Sequence, residues 1–437
     1  MGGIKVVRRL WTMPLILMIC LLVSFTGFAA EKEITFWCSY SQPERIKAIE
    51  DTITRFEAEN PGIQVKRELV PWSNMHQKWI AAKMANTLPQ LATETDSEAI
   101  GMYEGGVLEP VDGLVKKMGG AGRFLPGPLQ GFRYRGKQIG IPHYTLSWMM
   151  VYRKDWLAKA GFTQPPKTWK EFEKAAIAET NPAEQRYGFT IPLGKSAEKS
   201  KEWLAYFMRT NGAEYFDAKG RVKFNSKATA ETVSFMVNLY KKASNPAAIN
   251  YTEDDVYNQY AQGRSGFVFA SGSICNKILQ VAPQLIQVTD IIPTPYNRRP
   301  GAVGAGPICL VKFAHNKYSA ETDKFVQFML RDDNYIPFLH SQLSMIPITK
   351  SAATSEKFYD FPDIKLIRPL LEKWIDGANK GKKFGMDYGL NPYNAYGLNG
   401  SIIEDMFQSI ILDNVSVGTA VKKVHDKIQE QLDAAGY

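Results

Sequence analysis

Glu33-Ile-Thr-Phe-Trp-Cys-Ser-Tyr-Ser-Gln-Pro-Glu44 opens the stretch that decides the fold, which closes on Asn60-Pro-Gly-Ile-Gln-Val-Lys-Arg-Glu-Leu-Val-Pro-Trp72. Ile34 to Trp37 is a short apolar run suited to a buried strand. Ser41 and Glu44 have the spacing of a capping box, and Pro43 is tolerated in a first helical turn. Ile46, Ile49, Ile53 and Phe56 then recur as one apolar helix stripe. Asn60-Pro61-Gly62 stops that helix, because proline cannot continue it and glycine accepts positive φ. Ile63 and Val65 begin a second strand. The result is a βαβ unit, which predicts a parallel sheet with a right-handed crossover. Ligands of such sheets gather at the carboxyl ends of strands, here Trp37 to Gln42.

Residues 1–30 read as an address rather than as fold. Lys5, Arg8 and Arg9 form a basic start, Leu10 to Phe25 is mostly apolar, and Gly27-Phe28-Ala29 supplies small residues for cleavage. The apolar run falls short of the roughly 20 residues of a membrane span, so a cleaved signal peptide and a periplasmic location are expected. About 407 residues then remain, enough for two domains. The chain carries 53 Lys+Arg against 44 Asp+Glu. Without Lys5, Arg8 and Arg9 the balance is 50 against 44, spread without a polybasic block, which gives no case for nucleic acid.

Cys38, Cys275 and Cys309 sit among apolar or small neighbours without a Cys-x-x-Cys, and are expected to be buried thiols. The five histidines, at 76, 143, 315, 340 and 425, lack metal-ligand spacing, so no metal and no cofactor is expected. Gly301-x-x-Gly304-x-Gly306 inverts the dinucleotide fingerprint and reads as a hinge. Ser196-x-x-Lys199 has no Lys-Thr-Gly after it. Tyr251-Thr-Glu-Asp-Asp255 lacks the glycine of a calcium loop and reads as a helix start. Glu94 and Asp96, two residues apart, do not flank a bond as a glycosidase pair would. The chain therefore reads as a non-enzyme.

The ordered motifs carry a family resemblance. The strand with Phe36-Trp37, the helix ending Phe-Glu-Ala-Glu-Asn-Pro-Gly-Ile-Gln-Val65 and the following Val70-Pro-Trp72 resemble the start of an ABC-transporter extracellular solute-binding protein of the sugar-binding, maltose-binding-protein-like type. Gly161-Phe-Thr-Gln-Pro-Pro-Lys-Thr-Trp169, with Thr168 and Glu171 spaced as a capping box, is among the most specific matches. The stretch Gly136 to Asp155 resembles the first interdomain crossing, Ala302 to Pro307 the return crossing, and Met345-Ile-Pro-Ile-Thr-Lys350 the third. Ser273 stands where relatives often carry tryptophan.

That resemblance implies a type II periplasmic binding protein: two α/β lobes, joined by three crossings, closing on a solute in the cleft. It places the lobes at about 31–143 with 306–346, and 144–305 with 347–437. The ligand-binding set it implies is Trp37, Ser39, Tyr40, Glu94, Asp96, Tyr144, Trp148, Ser271, Ser273, Gly304 and Tyr396, with Gly306 in the crossing. Aromatic faces beside short polar donors suit a sugar. The expected partners are a small-molecule solute and inner-membrane ABC permease subunits, with the chain itself a monomer. A binding protein for glycerol phosphate or another anion, and a secreted carbohydrate-active enzyme, stay open as alternatives.

Overall fold

The computed structural model describes residues 1–3, 32–195, 199–398 and 400–437. The signal-peptide reading therefore lies outside the described residues, as does Ser196. Strand β1 (Lys32–Cys38) leads through helix α1 (Pro43–Glu59) to β2 (Ile63–Leu69). The two strands pair in parallel, from Lys32 beside Ile63 to Cys38 beside Leu69. This is the βαβ unit expected from the opening stretch. Its cap differs. The helix starts at Pro43, so Gln42 is the N-cap, Ser41 falls outside, and no side chain caps the first turn. The second capping box does form, with Thr168 and Glu171 satisfying each other's backbone at the start of the helix Trp169–Glu179.

Helix α2 (Trp72–Ala85) returns the chain to β3 (Leu91–Thr95), which joins β1 in parallel, and α3 (Asp96–Glu104) follows directly. A small hairpin, β4 (Arg133–Tyr134) and β5 (Lys137–Gln138), precedes the long strand β6 (Ile141–Arg153). The remaining strands are β7 (Tyr187–Phe189), β8 (Ser265–Ala270), β9 (Thr289–Ile292) and β10 (Gly304–Lys312). They order as β2-β1-β3-β10-β6-β8-β7, with β9 also on β6.

Strand β6 makes two lobes out of this sheet. Its first half, Ile141 to Trp148, pairs with β10. Its second half, Met149 to Arg153, pairs with β8 and β9 instead. The third passage is shorter: Thr145 and Ile346 exchange two backbone hydrogen bonds, of 3.1 and 3.0 Å. Crossings built from paired strands leave only a few residues per passage to absorb a change of lobe angle.

Side chains alternate across these strands, so each sheet face has its own core. Ile34, Phe36 and Cys38 pack on one side with Ile49, Ile53 and Phe56 of α1. Trp37, Ala92, Cys309 and Val311 pack on the other with Trp79 and Ile100. Full burial of each large apolar side chain contributes about 1.5–3 kcal/mol. Cys38, Cys275 and Cys309 are buried free thiols that form no disulfide among the described residues. Burial pushes the Cys38 thiol up to about 11 and that of Cys275 up to about 12.

Candidate functional site

The two faces of the crossing strands differ in what packs on them: one meets a helix, and the other carries rings that are themselves buried, Tyr144 at 3% and Trp148 at 8% exposure. Thr145 and Ser147 of β6 point with Ala305 and Pro307 of β10 toward the helix Pro362–Lys380. A methyl on Gly377 would lie 2.9 Å from Ser147 Oγ, and one on Gly381 2.9 Å from Ala305 Cβ. Tyr144, Leu146 and Trp148 occupy the opposite face, with Gly306 opposite Leu146 and Gly304 opposite Trp148.

Both glycines are there because rings lie on them. A Cβ on Gly306 would come within 2.8 Å of the Trp148 indole, and one on Gly304 within 2.5 Å of the Tyr206 ring. Tyr206 comes from the helix Ser200–Asn211 of the second lobe. Its hydroxyl is buried and has no hydrogen-bond partner among the described residues. Burial and the neighbouring Glu202 carboxylate keep it protonated well above the usual phenol range.

One charged group faces the indole directly. Lys199 Nζ stands 5.6 Å from the Trp148 ring centroid and 3.2 Å from Glu202 Oε1. The same lysine acts electrostatically on Glu253, whose carboxyl is raised chiefly by burial, against the pull of Lys199 and with the push of Glu202. Tyr257 Oη donates to Glu253 Oε1 at 2.9 Å. Ser271 Oγ donates to Ser273 Oγ at 3.1 Å, at the carboxyl end of β8. Ser273, Tyr257 and Glu253 of the second lobe line a cavity of about 740 Å³ with Glu44 and Leu343 of the first. Lys199 thus links the Trp148 indole to the Glu202 and Glu253 carboxylates, while Glu253, Tyr257 and Ser273 line the cavity itself.

The other residues singled out in the sequence lie elsewhere. Trp37 is a core side chain rather than a cleft wall: strand alternation turns it toward the α2 side, where it meets Phe313 edge-on at 5.8 Å. Tyr40 is fully buried, and its hydroxyl is 2.8 Å from His143 Nδ1. Ser39 is buried behind it, its N–H donating to Thr93 Oγ1 at 2.9 Å. Tyr144 is buried near the start of β6, its hydroxyl accepting from Arg45 Nη1 at 3.3 Å.

Glu94 belongs to β3, opposite Cys309, on the covered side of the sheet. Its Oε1 is buried without a partner among the described residues, and burial, then the Glu98 charge, raise its carboxyl well above the carboxylate range. Asp96 opens α3 and pairs with Lys383 at 3.3 Å, lining a second cavity of about 490 Å³ behind the crossings. Tyr396 stacks on Tyr437, ring centroids 5.2 Å apart, beside α3. The eleven residues therefore do not converge on one cavity. The sequence reading missed Lys199, Glu202, Glu253 and Tyr257. Lys199, Glu202 and Tyr206 follow one another at helical spacing at a helix start after β7, which is the signal that locates them.

Among the described residues no helix is long and apolar enough to cross a membrane, and no group of three or more His, Cys, Asp or Glu could hold a metal ion.

Comparison with known proteins places this geometry. The chain is 27% identical over 323 residues to a Brucella abortus protein named only as a binding protein, covering 74% of this chain and 77% of that one. It is 24% identical over 409 residues to an Escherichia coli K12 protein whose name is that of an ABC transporter periplasmic-binding protein, covering 92% and 93%. A solute-binding protein from Thermotoga lettingae, solved with alpha-D-tagatose bound, superposes with a TM-score of 0.72 at 22% identity, over 92% of this chain and 100% of that one. The family profile for bacterial extracellular solute-binding proteins matches residues 41–336, more than half of the chain, from the β1–α1 turn through both long crossings. Two lobes on shared strands and a match of that extent have one meaning: the chain belongs to the bacterial extracellular solute-binding protein family.

Proposed function

We propose that this chain is the periplasmic component of an ABC importer, that it captures a sugar or oligosaccharide by lobe closure, and that it delivers the sugar to a membrane permease. The observation that carries the reading is Trp148 on the crossing strand β6, with Lys199 over its ring and the Glu202 and Glu253 carboxylates beside that lysine. An indole face stacks on the apolar face of a pyranose, while carboxylates, hydroxyls and an ammonium take up its hydroxylated edge. The tagatose bound to the Thermotoga lettingae protein supports the same class of solute. In this reading residues 1–30 are a signal peptide, the chain works as a monomer, and the lobes are 31–143 with 306–346 and 144–305 with 347–437. It performs no catalysis: the carboxylates bind and do not cleave.

Titration with mono- and disaccharides tests the reading. A binding sugar should change tryptophan emission in the parent and much less in Trp148→Phe. Trp148→Ala should cost at least about 2 kcal/mol, more than tenfold in affinity. Sugar binding undiminished in a folded Trp148→Ala overturns the assignment of Trp148. Turnover of a glycoside would overturn the binding-protein reading itself.

A further inference from the structure

Arg45 is a buried cation with no anionic partner among the described residues. It occupies the third position of α1, on the face that packs Ile49, Thr52, Ile53 and Phe56 inward, and is 7% exposed. Among the described residues its guanidinium is held by neutral groups. Nη1 donates to Tyr144 Oη at 3.3 Å, and the guanidinium carbon stands 5.2 and 5.3 Å from the ring centroids of Tyr40 and Tyr144. Its Nε–H is buried with no partner among the described residues. Arg153, equally buried, shows the usual solution, a 2.6 Å pair with Asp155.

The energetics leave this site unfinished. Withdrawing an ion from water is costly, and cation–π contacts return only part of that cost. A second feature points the same way. The first turn of the 17-residue α1 has no side-chain cap, which leaves its backbone donors and the positive end of its dipole uncapped just beyond the carboxyl end of β1. Glu44, the one acid in that turn, is exposed and lines the neighbouring cavity with Ser273, whereas Arg45 lies on the buried face.

We propose that Arg45 is an oxyanion subsite and that the captured solute is an acidic sugar, its carboxylate or phosphate held by Arg45 and its ring on Trp148. This rests on the sugar reading above and narrows it. Tyr144, which positions the guanidinium, and Trp148 lie four residues apart on one face of β6, about 13 Å at strand rise. That span exceeds one pyranose and suits a solute of two sugar units. The acid end then lies against lobe one, while Glu202 and Glu253, which repel an anion, receive hydroxyls at the lobe-two end.

The test is calorimetric titration of the parent, Arg45→Gln and Arg45→Lys with digalacturonate, maltose 1-phosphate, maltose and glycerol 3-phosphate, at low and high salt. An acidic disaccharide should bind the parent at least tenfold tighter than maltose, and more weakly at high salt because the pair is screened. Arg45→Gln should lose at least tenfold and lose the salt dependence; Arg45→Lys should stay within a few-fold, which keeps the test valid if the glutamine variant does not fold. The digalacturonate and phosphate arms separate the two sources of oxyanion. Maltose bound more tightly than either acid, and equally by Arg45→Gln, overturns the subsite and leaves the sugar reading standing. Glycerol 3-phosphate alone, bound in an Arg45-dependent way, overturns the sugar reading and keeps the subsite. Absence of binding by all three anions also overturns the subsite.

Discussion

Tyr437 donates its hydroxyl to Glu104 Oε2 at 2.6 Å, joining the segment after the helix Val417–Ala434 to the end of α3 across the two lobes. The other carboxylate oxygen accepts from Tyr134 Oη at 2.6 Å and from Arg135 Nη2 at 3.0 Å. The Tyr437 ring is fixed from the second lobe, stacked on Tyr396 and edge-on to Tyr393. Because Val417–Ala434 packs on second-lobe helices and α3 packs on β3 and β10, this bond reports the lobe angle. A hydrogen bond of this kind contributes about 0.5–1.5 kcal/mol net, up to roughly tenfold in a lobe equilibrium. Tyr437→Phe should therefore enlarge the radius of gyration of the ligand-free protein and speed solute release, with Glu104→Gln in the same direction. Unchanged scattering and release rates in both variants would remove the bond from the hinge equilibrium.

Gly306→Ala should weaken solute binding more than it lowers stability. The new methyl would stand 2.8 Å from the Trp148 indole, closer than a Cβ is ever found, so the ring must rotate out of its place against β10. Tryptophan emission should shift even without ligand. Parent-like affinity and emission together would show that the ring does not depend on Gly306.

The legible part of this molecule was the part dictated by local chemistry. The βαβ unit, the Thr168–Glu171 capping box and the start of the helix Glu253–Ala261 at Thr252 follow from apolar spacing and cap residues that act within a few positions. The candidate cluster was approached in the sequence only along the crossings. Trp37 and Tyr40 adjoin the expected cleft in sequence, but the two-residue period of β1 and the packing of α1 and α2 send both rings into cores. Strand register, which joins Gly304 to Trp148 across 156 positions, sets what packs on each face, and no local signal carries that. Arg45 was hidden for the same reason: as a helix residue it looks like surface, and only tertiary packing buries it.

The three described cysteines should be silent toward a thiol reagent in the native protein. Cys38, Cys275 and Cys309 are buried, and burial raises each thiol, so the reactive thiolate is scarce at neutral pH. Reaction should begin only on denaturation and then reach all three. A fast-reacting native thiol assigned to one of them by peptide mapping would contradict this packing.

The pH dependence of stability should carry the mark of Glu179. It closes the helix Trp169–Glu179, is buried, and neither carboxyl oxygen has a hydrogen-bond partner among the described residues. Gly266 makes room for it, since a Cβ there would lie 1.9 Å from Glu179 Oε2. Arg153 is the nearby cation, but Asp155 already engages it through bonds of 2.8 and 2.6 Å, so burial prevails and pushes the Glu179 carboxyl up to about 9. In the unfolded chain the same group titrates near about 4.3. Between those values the native state holds a proton that the unfolded state has released. Stability must then fall as pH rises from about 4.3 toward 9, by up to about 1.4 kcal/mol for each pH unit, with no contribution to the slope below or above that window. Glu179→Gln keeps the shape and removes the titration. Denaturant midpoints taken from pH 5 to 9 should decline in the parent and decline distinctly less in the variant, which should be the more stable of the two at pH 8. Parallel declines would mean that Glu179 is ionised in the folded protein, with Arg153 or water supplying the partner.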